Sequence, residues 1–461
     1  MLLRDKSAKQ KRGILLPLFS LPSPHGIGSF GEEAYRFIDF LRATNQSYWQ
    51  ILPLCPVGKG NSPYTSLCSF AGEILYIDLN LLVDEKLLED KEIPQKYFPK
   101  NVDYEAVREF KIPLLRRAST RFNTKTSEYQ EFCEENGYWL KGFADFMFKS
   151  EGYEKEFYYI TQFLFFKQYN RLHNYANVSD IKIIGDIPFY VAPHSSDVTD
   201  NPQVFEVDEN MNPTLVAGVP PDIFSADGQL WGNPIYNWEY LEKTDFKWWK
   251  ERIAHNLKLY DMLRIDHFRA FADYYCIPAD AKTAKSGYWK KGVGNRFWES
   301  LKEDNSEVPI IAEDLGGEDS PLVIKLLNET GFPNMKVLQF AFNKDLSNPF
   351  LPQNFDRPCV CYTGTHDNDT TLGWYEHLSE KEKALFLKTV PQKTENAVLN
   401  LISFALSSKA KTVIIPLQDY MQLGSSARIN TPGVPKGNWV WRFQKKDINA
   451  ELKKLIKYMS Q

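Results

Sequence analysis

Short apolar runs alternate along the chain with longer segments whose apolar positions recur with helical spacing. The runs predict eight strands, Gly13–Leu18, Tyr48–Leu54, Ile181–Ile187, Tyr260–Asp266, Val308–Glu313, Met335–Phe340, Cys359–Thr363 and Thr412–Leu417. The segments between them predict helices at Glu32–Thr44, Asp245–Leu259 and Ser379–Lys388. This alternation is typical of a parallel sheet, which forms either a closed barrel or a doubly wound open sheet.

Polar side chains recur where the predicted strands end. Asp186, Asp266, Glu313 and Asp367 lie at or just beyond the ends of four strands, and Gln418–Asp419 follows the last one. In a closed barrel all of these ends meet on one face, whereas an open sheet collects them at a single switch point. We therefore predict the α/β class and a (β/α)8 TIM barrel.

The predicted strands are unevenly spaced. About 125 residues separate the second and third strands, and about 70 separate the third and fourth. The first of these segments has helical spacing at Tyr104–Phe122 and Glu154–Leu172, whereas the second is rich in Pro, Gly and Asp. Long loops in a compact enzyme often form lids or binding walls. We expect one catalytic domain over residues 1–461, without a C-terminal β-sandwich and with subdomains inserted on the active face at about 55–180, 188–258 and 418–445.

Charge and composition narrow the class of partner. A formal net charge of −4 and a pI near 6.1 argue against nucleic acid and anionic membranes as partners. Aromatic residues make up 14% of the chain, which suits stacking on sugar rings, although core packing explains most of them. No apolar run reaches the length of a membrane span.

Cysteine usage and the start of the chain bear on location. Six cysteines are scattered without a C-x-x-C pair, so we expect free thiols and a cytoplasmic protein. A basic stretch followed by Gly13–Leu18 superficially resembles a signal peptide, but Pro17, Pro22 and Pro24 interrupt it. No obligate protein partner is indicated.

Three acidic motifs predict sugar-cleaving chemistry: R-I-D-H-F-R, I-I-A-E-D-L-G and G-T-H-D-N-D. Cleavage through an oxocarbenium-like transition state needs a carboxylate at the anomeric carbon and a carboxylic acid at the leaving oxygen. Asp266 is the candidate nucleophile, because Arg264 on the same strand face should lower its pKa, although a purely structural ion pair is the alternative. Glu313 is the candidate acid and base, which requires a raised pKa; helix capping is the alternative for Glu313 or Asp314.

The segment T-H-D-N-D supplies a third acid. His366 and Asp367 are placed to bind sugar hydroxyls as the ring flattens. Calcium would suit the oxygens of Asp367, Asn368 and Asp369, but the glycine and the distal glutamate of a calcium loop are missing, so no metal is predicted. There is also no glycine-rich phosphate or dinucleotide loop. Carboxylate catalysis needs no cofactor, and none is expected.

Loop motifs around these acids predict substrate recognition. They contain Ser62 and Tyr64 in N-S-P-Y, Asp222 in P-P-D and Trp231 in G-Q-L-W-G-N-P. Tyr64 and Trp231 are the candidate aromatic platforms for sugar rings. The alternative is that both rings are buried loop anchors.

Together these motifs resemble the amylomaltases, the 4-α-glucanotransferases of glycoside hydrolase family 77. The likeness runs from R-G-I-L-L-P-L through S-P-Y-T-S-L, G-D-I-P-F-Y-V-A, R-I-D-H-F-R, A-E-D-L-G, T-H-D-N-D-T-T and P-L-Q-D to N-W-V-W-R. The resemblance implies Asp266 as nucleophile, Glu313 as acid/base and Asp367 as transition-state stabiliser. It also implies donor subsites lined by Tyr64, Asp186, Arg264 and His366, and loops toward the acceptor that carry Asp222, Trp231 and Asn430.

The resemblance implies transfer of α-1,4-glucan segments to the 4-hydroxyl of glucose or another glucan. The reaction would be a retaining double displacement on maltodextrins, in starch or glycogen metabolism. An α-glucan hydrolase of the same barrel type is the nearest rival. A glucan-binding protein without activity and, more distantly, a phosphate-handling barrel are the others.

Overall fold

A computed structural model describes residues 9–221, 226–304 and 308–460. These residues contain twelve strands: β1 (Lys11–Leu15), β2 (Tyr48–Gln50), β3 (Lys182–Ile187), β4 (Leu215–Val219), β5 (Gln229–Pro234), β6 (Met262–Ile265), β7 (Asp273–Pro278), β8 (Tyr288–Lys291), β9 (Ile310–Ala312), β10 (Asn334–Val337), β11 (Cys359–Tyr362) and β12 (Thr412–Pro416). Eight of the twelve close into a barrel in the order β1-β12-β11-β10-β9-β6-β3-β2, and every pair is parallel. The predicted barrel is thus confirmed.

Helices connect and cover these strands. Those within the described residues are α1 (Glu32–Ala43), α2 (Leu79–Asp84), α3 (Tyr104–Arg121), α4 (Ser127–Glu135), α5 (Gly137–Glu151), α6 (Lys155–Val178), α7 (Ser196–Asp200), α8 (Trp238–Lys243), α9 (Lys247–Leu259), α10 (Asn295–Asp304), α11 (Pro321–Thr330), α12 (Thr371–His377), α13 (Glu380–Thr389), α14 (Ala397–Leu406), α15 (Leu417–Tyr420) and α16 (Ala450–Met459). Helices α2 to α6 all lie between β2 and β3. Across the described part of the chain, no helix combines the length and apolar character needed to cross a membrane.

The inside of the barrel is a packed apolar core. Its side chains come from every barrel strand except β6, whose partly buried Met262 packs against them: Leu15, Tyr48, Ile184, Ile311, Met335, Val337, Val360, Tyr362 and Ile414. Gly13 on β1 leaves space for this layer, because a Cβ there would lie 2.6 Å from both Ile414 Cδ1 and Tyr48 Cβ. A solid core of this kind leaves the carboxyl ends of the strands as the place for a site.

The predicted strands overrun the observed ones at several ends. Gly13–Leu18 was predicted where β1 covers Lys11–Leu15, and Met335–Phe340 where β10 ends at Val337. The residues beyond β10 form a buried 3-10 helix, Leu338–Phe342. Four of these five residues are apolar and pack on the core, so hydrophobicity alone does not mark where the strand stops.

A second, antiparallel sheet was not predicted. Its order is β5-β4-β7-β8, so a hairpin from the loop after β3 pairs with two strands that follow the candidate nucleophile. The segment Pro188–Trp238 is rich in Pro, Gly and Asp and was interpreted as a long loop inserted on the active face. In addition, β8 has the sequence Y-W-K-K and is largely exposed, so it lacks the alternation that identifies a half-buried strand.

Candidate active site

A buried arginine joins two carboxylates at the end of the barrel. Strands β3 and β6 pair with Asp186 opposite Arg264, which places both side chains in one layer. Arg264 Nη1 donates to both oxygens of Asp186 at 2.8 and 2.7 Å, and Nη2 donates to Asp266 Oδ1 at 2.9 Å. The Arg264 side chain is only 3% exposed, whereas that of Asp266 is 28% exposed. The network therefore fixes one edge of the Asp266 carboxylate, which remains partly accessible from outside the barrel.

The loop after β2 contributes Ser62 and Tyr64. The Tyr64 hydroxyl donates to Asp186 Oδ2 at 2.7 Å, and Ser62 Oγ accepts from the Tyr64 backbone N–H at 3.2 Å. The Tyr64 ring stacks on His366, with centroids 5.2 Å apart and an interplanar angle of 12°. Tyr64 is thus held at both its hydroxyl and its ring, and Ser62 shapes the turn that presents it.

The expected pKa shift of Asp266 was wrong in direction. Burial raises the pKa of Asp266 to about 6, and the opposing effect of Arg264 does not cancel it. Arg264 shares its charge with Asp186, whose own carboxylate raises the pKa of Asp266 further. Asp266 is nevertheless mostly ionised at neutral pH, as nucleophilic attack requires.

Glu313 follows β9 and is held by two backbone N–H groups. Its Oε2 accepts from His267 N at 2.6 Å, and its Oε1 accepts from Leu315 N at 2.9 Å. His267 adopts a left-handed backbone conformation, with φ 51° and ψ 43°. Burial raises the pKa of Glu313 to about 8 against the effect of Arg264, and the nearby Asp266 raises it further. The predicted direction of the Glu313 shift is confirmed.

The two carboxyl groups therefore hold their protons at different pH. Between about pH 6 and about pH 8, Asp266 is mainly charged and Glu313 mainly protonated. Because like charges repel, the ionised Asp266 favours the protonated form of Glu313, and a protonated Glu313 leaves Asp266 free to ionise. An ionised carboxylate and a protonated carboxyl group are thus present together near neutral pH, which is the combination that a retaining double displacement needs.

Asp367 lies in the loop after β11 with contacts of a different kind. His366 Nε2 lies 3.3 Å from its Oδ2, and Asn430 Nδ2 donates to its Oδ1 at 2.6 Å. Burial opposes ionisation of Asp367, but His366 and Asn430 outweigh it and leave its pKa well below the usual range. Asp367 is thus a permanent negative charge at neutral pH, and 42% of its side chain is exposed.

The side chains considered as calcium ligands form hydrogen bonds with different partners. They are those of Asp367, Asn368 and Asp369. Asn368 Oδ1 accepts from the N–H and hydroxyl of Thr365, both at 2.9 Å. Asp369 accepts from Thr370 N at 2.7 Å and from Ser425 Oγ at 2.7 Å. Their contacts build the loop that carries Asp367.

Of the two remaining predicted residues, Trp231 lies beside His267 and Asp222 falls outside the residues that the structure describes. Trp231 on β5 meets the His267 ring edge-on, with centroids 5.0 Å apart, and is 39% exposed. Its indole is therefore next to the residue that follows Asp266. Burial lowers the pKa of His267 to about 3, so its ring is neutral.

Two residues that the sequence reasoning missed complete the surroundings of Asp367. Arg428 donates from Nη2 to the Asp367 carbonyl and from Nε to the Asn430 carbonyl, both at 2.7 Å. The Trp439 ring lies 5.7 Å from Tyr64 and 6.0 Å from His366. Trp439 belongs to the N-W-V-W-R motif, which was a usable signal, whereas the lone Arg428 offered none.

Comparisons with known proteins identify the family of this chain. A family model described as 4-alpha-glucanotransferase matches residues 16–156 and 148–448. The 4-alpha-glucanotransferase of Clostridium butyricum is 43% identical, over 94% of this chain and 96% of its own, and that of Aquifex aeolicus is 41% identical, over 96% and 97%. Amylomaltase from Streptococcus agalactiae superposes with a TM-score of 0.93 at 36% identity, covering 98% of this chain and 99% of its own. The chain therefore belongs to glycoside hydrolase family 77, the 4-α-glucanotransferases.

Proposed function

We propose that this 4-α-glucanotransferase passes segments of maltodextrins to the 4-hydroxyl of glucose or of another α-1,4-glucan, with Asp266, Glu313 and Asp367 as its catalytic residues. The amylomaltase of Streptococcus agalactiae was solved in complex with acarbose, which supports a saccharide as the ligand of this site. The observation that carries the proposal is the convergence of three carboxyl groups held in three different ways. One is tied to Arg264, one to two backbone N–H groups, and one to His366 and Asn430.

In the first step Asp266 attacks the anomeric carbon of the donor. The bond from that carbon to the glycosidic oxygen breaks, Glu313 gives its proton to the departing oxygen, and a β-linked glycosyl ester forms on Asp266. Arg264 holds Asp266 by one oxygen, which leaves the other for attack. The charge of Asp367 stabilises the positive charge that develops on the sugar ring.

In the second step the acceptor replaces the leaving group. Glu313, now ionised, takes the proton of the acceptor 4-hydroxyl, and the oxygen attacks the anomeric carbon and releases Asp266. Two inversions give net retention, for which the two carboxyl groups must lie about 5–5.5 Å apart. Trp231 is our candidate platform for the acceptor, because it is exposed beside His267.

Six free thiols support a reducing compartment such as the cytoplasm.

The experiment is incubation of the purified protein with maltotriose, following both the oligosaccharide ladder and the total of reducing ends. Transfer yields glucose and longer oligomers at a constant number of reducing ends. Rising reducing ends with only shorter products would instead make the protein a hydrolase, and no change would favour a binding protein. Asp266→Asn should abolish the products, whereas Asp356→Asn, at a side chain that is 63% exposed, should not.

A further inference from the structure

The loop that carries Glu313 is attached to the loop that carries Asp266. Glu313 N donates to Ile265 O at 3.1 Å, and Phe268 N donates to Glu313 O at 2.9 Å. The Glu313 carboxyl group itself accepts one N–H from each loop, from His267 and from Leu315. Its position therefore depends on how the two loops are aligned.

Arg269 connects the two loops beyond these backbone contacts. It lies in the 3-10 helix Phe268–Phe271, three residues after Asp266, and its side chain is only 15% exposed. Its Nη1 donates to Gly316 O at 2.5 Å, three residues after Glu313. Gly316 has a φ of +75°, so the carbonyl that Arg269 holds belongs to a left-handed turn.

The other side of the Arg269 guanidinium is equally fixed. Its Nε donates to Asp273 Oδ1 at 2.8 Å, and Asp273 Oδ2 accepts from Ser320 Oγ at 3.2 Å, so Asp273 also reaches the Glu313 loop. The indole of Trp289, on β8, covers the guanidinium at 4.0 Å from its centroid. The unpredicted antiparallel sheet thus supports the arginine that spans the two catalytic loops.

We propose that Arg269 is a positioning residue for proton transfer: it aligns the Glu313 loop with the Asp266 loop so that the acid reaches the glycosidic oxygen. The proposal rests on the role of Glu313 put forward above. Asp266 is held separately by Arg264, whereas the two N–H groups that hold Glu313 lie in the loops that Arg269 connects. Loss of Arg269 therefore affects protonation of the leaving group more than attack by Asp266. A displacement of about 1 Å in a catalytic group can cost roughly 100-fold in rate.

The test compares two donors that differ in their need for an acid. Maltotriose loses a sugar oxygen that must be protonated. α-Maltosyl fluoride loses fluoride, which departs as an anion when the bond from C1 to fluorine breaks and Asp266 bonds to C1. For Arg269→Met we expect kcat/KM to fall about 100-fold with maltotriose and by less than about threefold with the fluoride. Arg269→Lys keeps the charge with a single donor group and should fall between wild type and Arg269→Met.

Controls separate positioning from general damage. Arg296→Met removes an arginine with the same kinds of partner, the Glu242 carboxylate at 2.7 Å and the Val293 carbonyl at 3.2 Å, and should leave both donors unchanged. Trp289→Leu should reproduce the selective loss more weakly. Circular dichroism and thermal unfolding confirm that each variant is folded.

Equal losses with the two donors, or no loss with maltotriose, would overturn the proposed role of Arg269. Failure of the proposed function looks different, because it appears without any change to Arg269. In that case wild type would show no transfer, or the first turnover of Glu313→Gln, followed by fluoride release, would be slowed as much as its cleavage of maltotriose.

Discussion

The pH dependence of donor cleavage follows from the proton states of the two central acids. The first step of the proposed mechanism needs an ionised Asp266, whose pKa burial raises to about 6, and a protonated Glu313, whose pKa burial raises to about 8. As the pH falls below about 6, Asp266 gains a proton and ceases to be a nucleophile. As the pH rises above about 8, Glu313 loses the proton it must donate. The plot of kcat/KM for maltotriose against pH should therefore be a bell centred near about pH 7.

The size of the effect can be worked out from these two values. At about pH 7, roughly four fifths of the free enzyme carries the reactive pair, an ionised Asp266 and a protonated Glu313. At about pH 5 and again at about pH 9, the fraction falls to roughly one tenth. The rate should thus drop about ninefold between its maximum and either of these pH values.

The assay measures initial glucose release at maltotriose concentrations well below KM, from about pH 4.5 to about pH 10 at constant ionic strength. Circular dichroism at each pH confirms that the protein stays folded. A second series with α-maltosyl fluoride assigns the limbs of the bell. Fluoride leaves without a proton, so the alkaline limb should disappear while the acid limb due to Asp266 remains. A flat maltotriose profile, or an alkaline limb that persists with the fluoride, would refute the assignment.

Three further predictions concern single side chains. Asn430→Ala removes the 2.6 Å bond to the charged Asp367, worth about 1.5–3 kcal/mol, so kcat for maltotriose should fall roughly 10- to 150-fold without unfolding. Trp231→Ala removes the candidate acceptor platform, and the loss of about 1 kcal/mol of stacking should raise KM for glucose roughly fivefold, while Trp231→Phe retains most of the affinity. Lys111→Met leaves two buried carbonyls, Leu75 O and Ile77 O, without the amino group that donates to them at 2.7 and 2.6 Å. The free energy of unfolding in urea should fall by about 2–4 kcal/mol, with little change in kcat.

Each of these predictions has a contradicting result. An Asn430→Ala enzyme with near wild-type kcat would show that Asp367 does not depend on that contact. An unchanged KM for glucose in Trp231→Ala would move the acceptor elsewhere. An unchanged urea midpoint for Lys111→Met would mean that relief from burying the charge offsets the lost hydrogen bonds, since burial already lowers the pKa of Lys111 to about 8.

Much of the fold was readable from the sequence because a buried parallel strand is a nearly continuous apolar run. All eight runs are barrel strands. Asp186 and Asp266, at the ends of two of them, share Arg264, and Glu313 at the end of a third accepts the N–H of His267, next to Asp266. The antiparallel sheet was not predicted because its four strands share no common pattern of apolar and polar residues. β5, for example, contains Gly232 and Pro234 and is mostly exposed, whereas its partner β4, L-V-A-G-V, is a short buried run.

Contacts between site residues could be predicted where both residues lie on one strand, but not where they come from segments far apart in the sequence. Arg264 lies beside Asp266 because residues two apart share a strand face. The second partner of Arg264, Asp186, comes from 78 residues away, and this sharing together with burial reverses the pKa shift expected for Asp266. Arg428 likewise reaches the Asp367 carbonyl across 61 residues.

The central claim is that the sugar is carried covalently on Asp266, and trapping that ester tests it most directly. Glu313→Gln treated with α-maltosyl fluoride can form the ester but has no base to activate an acceptor, so the intermediate should accumulate. Mass spectrometry should show the protein heavier by one maltosyl group, located on the peptide that contains Asp266. No adduct, or an adduct on another residue, would contradict the account.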